Sequence, residues 1–547
     1  MKLDNKSLIL ACLLSFSIVI LGGCDRDRPE KKQTAALKQK QNAAPLSIVS
    51  GSENKTLEPL LQQFARKNGI NISMQYMGSV DIAHEIAKGK SSQFDAVWPA
   101  SSLWLSLGDK QGVVRHAQSI MRSPVVFAVK KSIAEKLGWD KNEVRVMDIL
   151  DAAERGDIRF AMTSATQSNS GTSAFLSFLS AFADSPEVLT EEHLNDPQVD
   201  DKIKRFLKTV NRSVGSSGWL MEMLRKDYLY YDGMVNYEAM VIELNKNLPP
   251  GQEPLYAVYP VDGISIADSP LGFIDKGDSR IEETFLQLQE YLLSASVQDS
   301  IQAHGRRTGL VGMEADAAKS RVFNPAWGID LQRILTPIRI PAVPVVEEAL
   351  NLYQTSFRKP SLTAYVLDYS GSMEGNGIQQ LKKAMRTLLD QNIAKQFLLQ
   401  ASSEDITMVV PFNNQLIDID FFSVQGNNPA ELNKLLHQVE TLQPGGGTNM
   451  YIAAAAALTT MKELAASGEY HPAVIVMSDG VSEGSVDQFH RMLQGSGMGS
   501  GDIPVFTILF GQADKKQMQA LADAMHGRMF DGRTDVVKAF REAKGYN

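Results

Sequence analysis

Between residues 360 and 530, unbroken apolar runs alternate with stretches whose apolar positions repeat every three or four residues. LTAYVLD precedes GIQQLKKAMRTLLDQNIAKQF, ITMVVPF follows, AVIVMSD comes after MYIAAAAALTTMKELAA, and PVFTILF precedes KKQMQALADAM. Apolar runs without polar alternation predict strands buried on both faces. Such strands separated by helices predict a parallel sheet flanked by helices, with its ligand crevice outside the carboxyl ends of the strands. The first half of the chain is built in a related way. LSIVS at 46–50 predicts a strand, and TLEPLLQQFARKNG sets Leu57, Leu60, Leu61 and Phe64 at helical spacing. Turns carrying Ser50 and Ser52, Gly78 and Ser79, and Ser170, Gly171, Thr172 and Ser173 each lead into a predicted helix. Hydroxyls and free backbone N–H groups at a helix start favour an anion. The same side chains serve equally as helix caps.

The chain's first residues follow a different pattern. Lys2 and Lys6 precede an apolar run from Leu8 to Leu21, and small residues lead into Cys24 as LGGC. This predicts a secretory signal over residues 1–23, with an apolar run short for a membrane span. LGGC resembles the lipobox of bacterial lipoproteins, which implies lipidation of Cys24 and a membrane-anchored mature chain. Asp25 resembles the signal that keeps enterobacterial-type lipoproteins at the inner membrane, facing the periplasm in a Gram-negative source. The only other cysteine, Cys12, lies inside the signal, so no disulfide is available to the mature chain. With 547 residues at 44% hydrophobic, cores must hold two or three domains together. Residues 24–45 are charged and lack large apolar side chains, which predicts a disordered tether reaching up to about 60 Å at roughly 3.3 Å per residue. The net charge of −8, with no basic stripe, argues against a nucleic-acid partner. Four prolines between 334 and 360 predict a semi-rigid connector. It divides a unit at 46–333 from one at 361–547.

In the second unit three loops deliver oxygen side chains to one crevice. Asp368 ends the first strand, Ser370 and Ser372 follow on its turn, Thr448 in PGGGTNMY precedes the alanine-rich helix, and Asp479 ends AVIVMSD. Two carboxylates and three hydroxyls, without histidine or cysteine, describe a site for a hard cation such as Mg²⁺. Incomplete neutralisation leaves a position for a carboxylate from another molecule. DYSGS, GGTN and SDG, in that order, resemble the metal-ion-dependent adhesion site of von Willebrand factor type A domains, a doubly wound Rossmann-like fold. The resemblance implies that these five residues hold Mg²⁺, Mn²⁺ or Ca²⁺, directly or through water, and through it an acidic group of a protein partner.

The first unit resembles the type 2 periplasmic solute-binding proteins, a two-lobed α/β fold, through SGS at 50–52, MGS at 77–79, FDAVWPAS at 94–101, RSPVVFAV at 122–129, SGTSAF at 170–175 and DGMVNYEAMV at 232–241. It implies a cleft contacted by Ser50, Ser52, Ser79, Ser123, Ser170, Thr172, Ser173 and Tyr237, and a small solute or oxyanion as ligand. Arg122, Arg306 and Arg307 are candidate counter-charges, whereas Glu238 in the cleft would repel an oxyanion. The expected function is a membrane-anchored binding protein, with the solute-binding-like unit sensing or docking. The alternative is the receptor of an ABC transporter. The eight histidines show no HExxH spacing and no cysteine is left as a nucleophile once Cys24 is lipidated, so the chain is not expected to be an enzyme.

Overall fold

LSIVS forms a strand, Leu46–Ser50, whose Leu46, Ile48, Val49 and Ser50 are buried. It pairs in parallel with Ile72–Tyr76 on one side and Ala96–Trp98 on the other. The computed structural model describes residues 44–309, 319–417, 422–497 and 503–545. The signal segment, Cys24 and nearly all of the tether lie outside the described residues. Pro270–Ile274 returns antiparallel beside Ala96–Trp98, and Val114–Ser119 completes the five-stranded first lobe. Leu57, Leu61 and Phe64 face inward as their spacing predicts, and Gly69 stops their helix in the left-handed conformation with φ 67°.

The chain crosses to a second lobe after Ser119 and returns before Pro270. That lobe's sheet runs Ser265–Ala267, Ser123–Lys130, Gly233–Tyr237, Phe160–Thr163, Arg212–Val214, with Leu255–Val258 also pairing on Ser123–Lys130. At the return crossing Ser269 has φ 43°, a costly conformation for a residue with a Cβ. Its carbonyl accepts N–H bonds from Ile120 and from the indole of Trp98.

The C-terminal sheet orders Phe422–Gln425, Ile406–Phe412, Ser361–Asp368, His471–Ser478, Val505–Leu509 and Met529–Asp531. Five strands are parallel: the four apolar runs form four of them as predicted, and the short Met529–Asp531, which no apolar run announces, adds the fifth. Phe422–Gln425 is an antiparallel edge strand with only Val424 buried. Its short, half-exposed pattern differs from the buried runs, and an edge position needs no second apolar face.

The connector differs from expectation. Residues 334–360 contain the helix Val343–Leu352, followed by a wider turn at Tyr353–Phe357. Pro344 falls in the first helical turn, where a missing N–H breaks no bond. Val346, Ala349, Leu350, Tyr353 and Phe357 join the second lobe's core, and the Tyr353 ring packs 5.2 Å from that of Phe175. The connector is therefore part of the second lobe's packing rather than a spacer. A further buried cluster is continuous from Leu224 and Tyr228 of the second lobe to Phe506 and Phe530 of the C-terminal domain.

Candidate functional site

The central strand Ser361–Asp368 lies between Ile406–Phe412 and His471–Ser478, all three parallel. Their carboxyl ends therefore open on one edge, and Asp368 and Asp479 leave the sheet side by side. One Asp368 oxygen accepts the Ser370 N–H at 2.7 Å, and the other accepts the Ser478 hydroxyl at 2.6 Å. The hydroxyls of Ser370 and Ser372 are 3.0 Å apart, and Ser372 donates to Asp479 at 2.6 Å. Thr448 arrives from a third loop. A Cβ on Gly480 would stand 3.0 Å from its hydroxyl and 3.1 Å from that of Ser372. The structure thus brings together all five residues singled out in the sequence.

The threonine loop is held from below. Gly445 N–H donates to Tyr369 O at 2.8 Å, Gly371 N–H donates to Gly446 O at 3.0 Å, and Asn413 donates from its side chain to Gly445 O at 2.9 Å. Gly446 has φ 83°, which permits the turn. Ser478 and Asn413 were missed in the sequence reading. Only their places, one residue before Asp479 and one after the strand ITMVVPF, hint at a role. Asp368 is fully buried and Asp479 nearly so. Burial pushes both carboxyls above the usual range, the serine hydroxyls oppose the rise, and Asp479 adds repulsion at Asp368.

Adjacent oxygens on an octahedral Mg²⁺, bonded at about 2.1 Å, stand roughly 3 Å apart. The contacts of 2.6 and 3.0 Å among Ser370, Ser372 and Asp479 are close to that spacing. Among the described residues no group of three or more His, Cys, Asp or Glu side chains is placed to hold a metal. A cation in this crevice would therefore depend on hydroxyls as well as carboxylates. Glu374 is exposed at the rim.

The interlobe cleft departs further from expectation. Ser170, Thr172 and Ser173 lie inside the helix Asn169–Phe182 rather than ahead of it. The Ser170 hydroxyl meets those of Thr163 and Ser217 at 2.7 and 2.8 Å, Thr172 donates to Ala165 O at 2.6 Å, and Ser173 is buried in the same turn. Ser50 donates to Trp98 O and accepts from Asn54, and Ser123 accepts the Ala239 N–H. Tyr237 OH accepts from Asn169, and burial raises its phenol well above the ordinary value. Glu238 is clasped by Arg307 through two bonds of 2.9 and 2.7 Å and receives the Tyr259 hydroxyl. Neither Glu238 nor Arg307 is available to a ligand, because each neutralises the other.

Two of the eight residues join the lobes. Ser79 donates its backbone N–H to Gln167 O at 2.9 Å, and Ser52 accepts the Gly218 N–H at 3.5 Å. The cavity left between Glu53, Arg122, Ser123, Tyr237, Ser269 and Arg306 measures about 20 Å³, roughly one water. Glu53 occupies the turn that the sequence reading gave to an anion. A Cβ on Gly51 would meet its carboxylate at 2.1 Å. Burial raises this carboxyl to about 7, against the opposing pull of its own backbone N–H and of Arg306.

The C-terminal domain grips both lobes. Arg541, on the last helix Val536–Gly545, bonds Asp81 of the first lobe at 2.8 Å and lies 4.2 Å from the centre of the Phe397 ring. His84 of the first lobe meets Phe397 edge-on at 5.1 Å. Gly545 abuts the side chain of Gln167, the residue whose carbonyl holds Ser79. Arg541→Ala is therefore expected to loosen lobe closure. Amide exchange in residues 77–87 should rise about tenfold for a lost, largely buried ion pair. Unchanged exchange there would show that the lobes stay shut without this grip.

Residues 46–307 match the family profile described as bacterial extracellular solute-binding protein, and residues 364–542 match that of the von Willebrand factor type A domain. Among solved structures, the sulfate-binding protein SubI from Mycobacterium tuberculosis H37Rv is 17% identical, covering 55% of this chain and 96% of its own, with TM-score 0.39. A ferric binding protein from Campylobacter jejuni is 15% identical, over 56% of this chain and 98% of its own, with TM-score 0.42. A von Willebrand factor type A protein from Catenulispora acidiphila is 18% identical, over 35% of this chain and 43% of its own, with TM-score 0.28. No curated protein matches the chain. The chain therefore carries a bacterial solute-binding domain followed by a von Willebrand factor type A domain.

Proposed function

We propose that this chain is an extracytoplasmic binding protein that captures an acidic group of a protein partner through a divalent cation in its von Willebrand factor type A domain. Asp368, Ser370, Ser372, Thr448 and Asp479 would hold the cation, with Mg²⁺ the best match to two carboxylates and three hydroxyls. Bound there, the ion supplies uncompensated positive charge to the partner's carboxylate. The observation that carries this reading is the meeting of these five oxygen-bearing side chains at one sheet edge. The solute-binding domain serves as a docking or sensing module, and lipid on Cys24 would tether the chain to the membrane. The alternative, a receptor handing an oxyanion to an ABC permease, has the solute-binding family match in its favour. Against it stand cleft hydroxyls committed to protein partners and the Glu53 carboxyl in the turn.

Calorimetry with Mg²⁺ is expected to show one site per chain, and the chain should recover a protein partner from envelope extracts in Mg²⁺ and release it in EDTA. Absence of Mg²⁺ heat, or capture indifferent to EDTA, would refute the proposal.

A further inference from the structure

A second cavity of about 20 Å³ lies where the second lobe, the connector and the last helix meet. Ser164, Thr166 and Ser213 reach it from the lobe, Arg358 and Lys359 from the connector, and His471 and Lys544 from the C-terminal domain. None of its lining side chains is a carboxylate. Arg358 is matched by Asp405, which it bonds at 3.0 and 2.5 Å. Lys544 is buried, 8% exposed, and spends two of its three N–H groups on the hydroxyls of Ser361 and Thr363. The Ser213 hydroxyl, on a residue 7% exposed, has no hydrogen-bond partner. Neither does Nε of the adjacent Arg212, whose guanidinium lies 5.7 Å from the Phe506 ring centre.

Positive charge taken out of water without a matching negative charge is costly. We infer that this interdomain cavity binds a compact inorganic anion, which pairs with Lys359 and Lys544 and takes the unpartnered Ser213 hydroxyl. The titration behaviour of the lining agrees. Burial lowers Lys544 to about 8, against the pull of the Asp405 carboxylate and with Arg358 adding like-charge repulsion. Burial also lowers Lys359 and holds His471 well below its ordinary value, where the neutral ring still offers one N–H. The volume, room for about one water, suits a monatomic anion such as chloride and is too small for an organic ligand. An anion here touches all three parts of the chain. It would also fix the end of the helix that carries Arg541, and so strengthen the hold of the C-terminal domain on the two lobes.

The test is thermal unfolding and calorimetry of the full chain with sodium phosphate, sodium sulfate and sodium chloride at matched ionic strength. At least one of these anions is expected to raise the unfolding temperature by several degrees at a hundredfold excess over its dissociation constant. Lys359→Met should weaken that anion at least tenfold, and Lys544→Met likewise. Lys359 is part-exposed, so its variant decides the matter if Lys544→Met fails to fold. Glu53→Gln should leave the affinity within twofold, because the interlobe cleft is a separate site. If no anion stabilises wild type, or Lys359→Met binds as well as wild type, the inference is wrong. Tightening by Glu53→Gln would place the anion in the interlobe cleft and overturn it as well.

Discussion

Replacing Asp368 with alanine will abolish Mg²⁺ binding while leaving the metal-free chain folded. Mg²⁺ keeps several waters and relies on one or two carboxylates, and among the described residues the hydrogen-bonded cluster at this crevice holds two, those of Asp368 and Asp479. Removing one halves the negative charge that attracts the ion, so the affinity should fall at least a hundredfold. The metal-free protein gains little from that carboxylate. Burial and the neighbouring Asp479 disfavour its charged form, and its partners are one backbone N–H and the Ser478 hydroxyl. Losing those bonds costs about 1–3 kcal/mol, and relief of the buried charge offsets part of it. The expected outcome is a metal-free unfolding temperature within a few degrees of wild type and no further rise on adding Mg²⁺. A variant that still gains stability from Mg²⁺ would show that the ion binds elsewhere. Capture of the partner should disappear in the same variant.

The crevice was legible in the sequence because topology leaves its residues little choice. Asp368 and Asp479 each end an unbroken apolar run, and parallel pairing of those runs, Leu367 opposite Met477, sends both carboxylates to one edge. The interlobe serines were legible as markers of turns and helix starts but not in their roles. A hydroxyl bonds whatever lies within reach, and for Ser170 that is Ser217, brought near only by the packing of the second lobe. Glu53 follows the same logic, since nothing in GSENK shows that its side chain folds back over Gly51. Pro344 misled because a proline in a first turn and one in a linker look alike without the helix that follows. The Arg541–Asp81 pair links positions 460 apart in sequence, a separation that no local pattern encodes.

Arg358→Met should have the largest effect on stability of any single change in the C-terminal domain. Asp405 is 1% exposed and accepts four bonds, two from Arg358 and one each from the backbone N–H groups of Ser361 and Ser402. Burial alone would raise its carboxyl. Arg358, Lys544 and the Ser361 N–H outweigh that and hold it well below the usual carboxylate range. Methionine keeps much of the arginine's apolar stem but strands a buried carboxylate, a loss of about 3–5 kcal/mol. For a domain of this size that lowers the unfolding temperature on the order of 10 °C. The carboxylate's contribution is complete above the unfolded-state value of about 3.9 and is lost as pH falls through the lower folded-state value. The gap between wild type and variant should therefore be wide at neutral pH and shrink in acid below about pH 4. Adding Asp405→Leu to Arg358→Met should restore part of the loss, because the stranded carboxylate is removed, although Lys544 then loses its negative neighbour. Recovery will be incomplete, since the Ser361 and Ser402 N–H groups lose their acceptor at the start of the central strand. Thermal unfolding of the three variants between pH 3 and 8 checks each step, and a single variant as stable as wild type at pH 7 would show that the pair does not anchor the connector to the sheet.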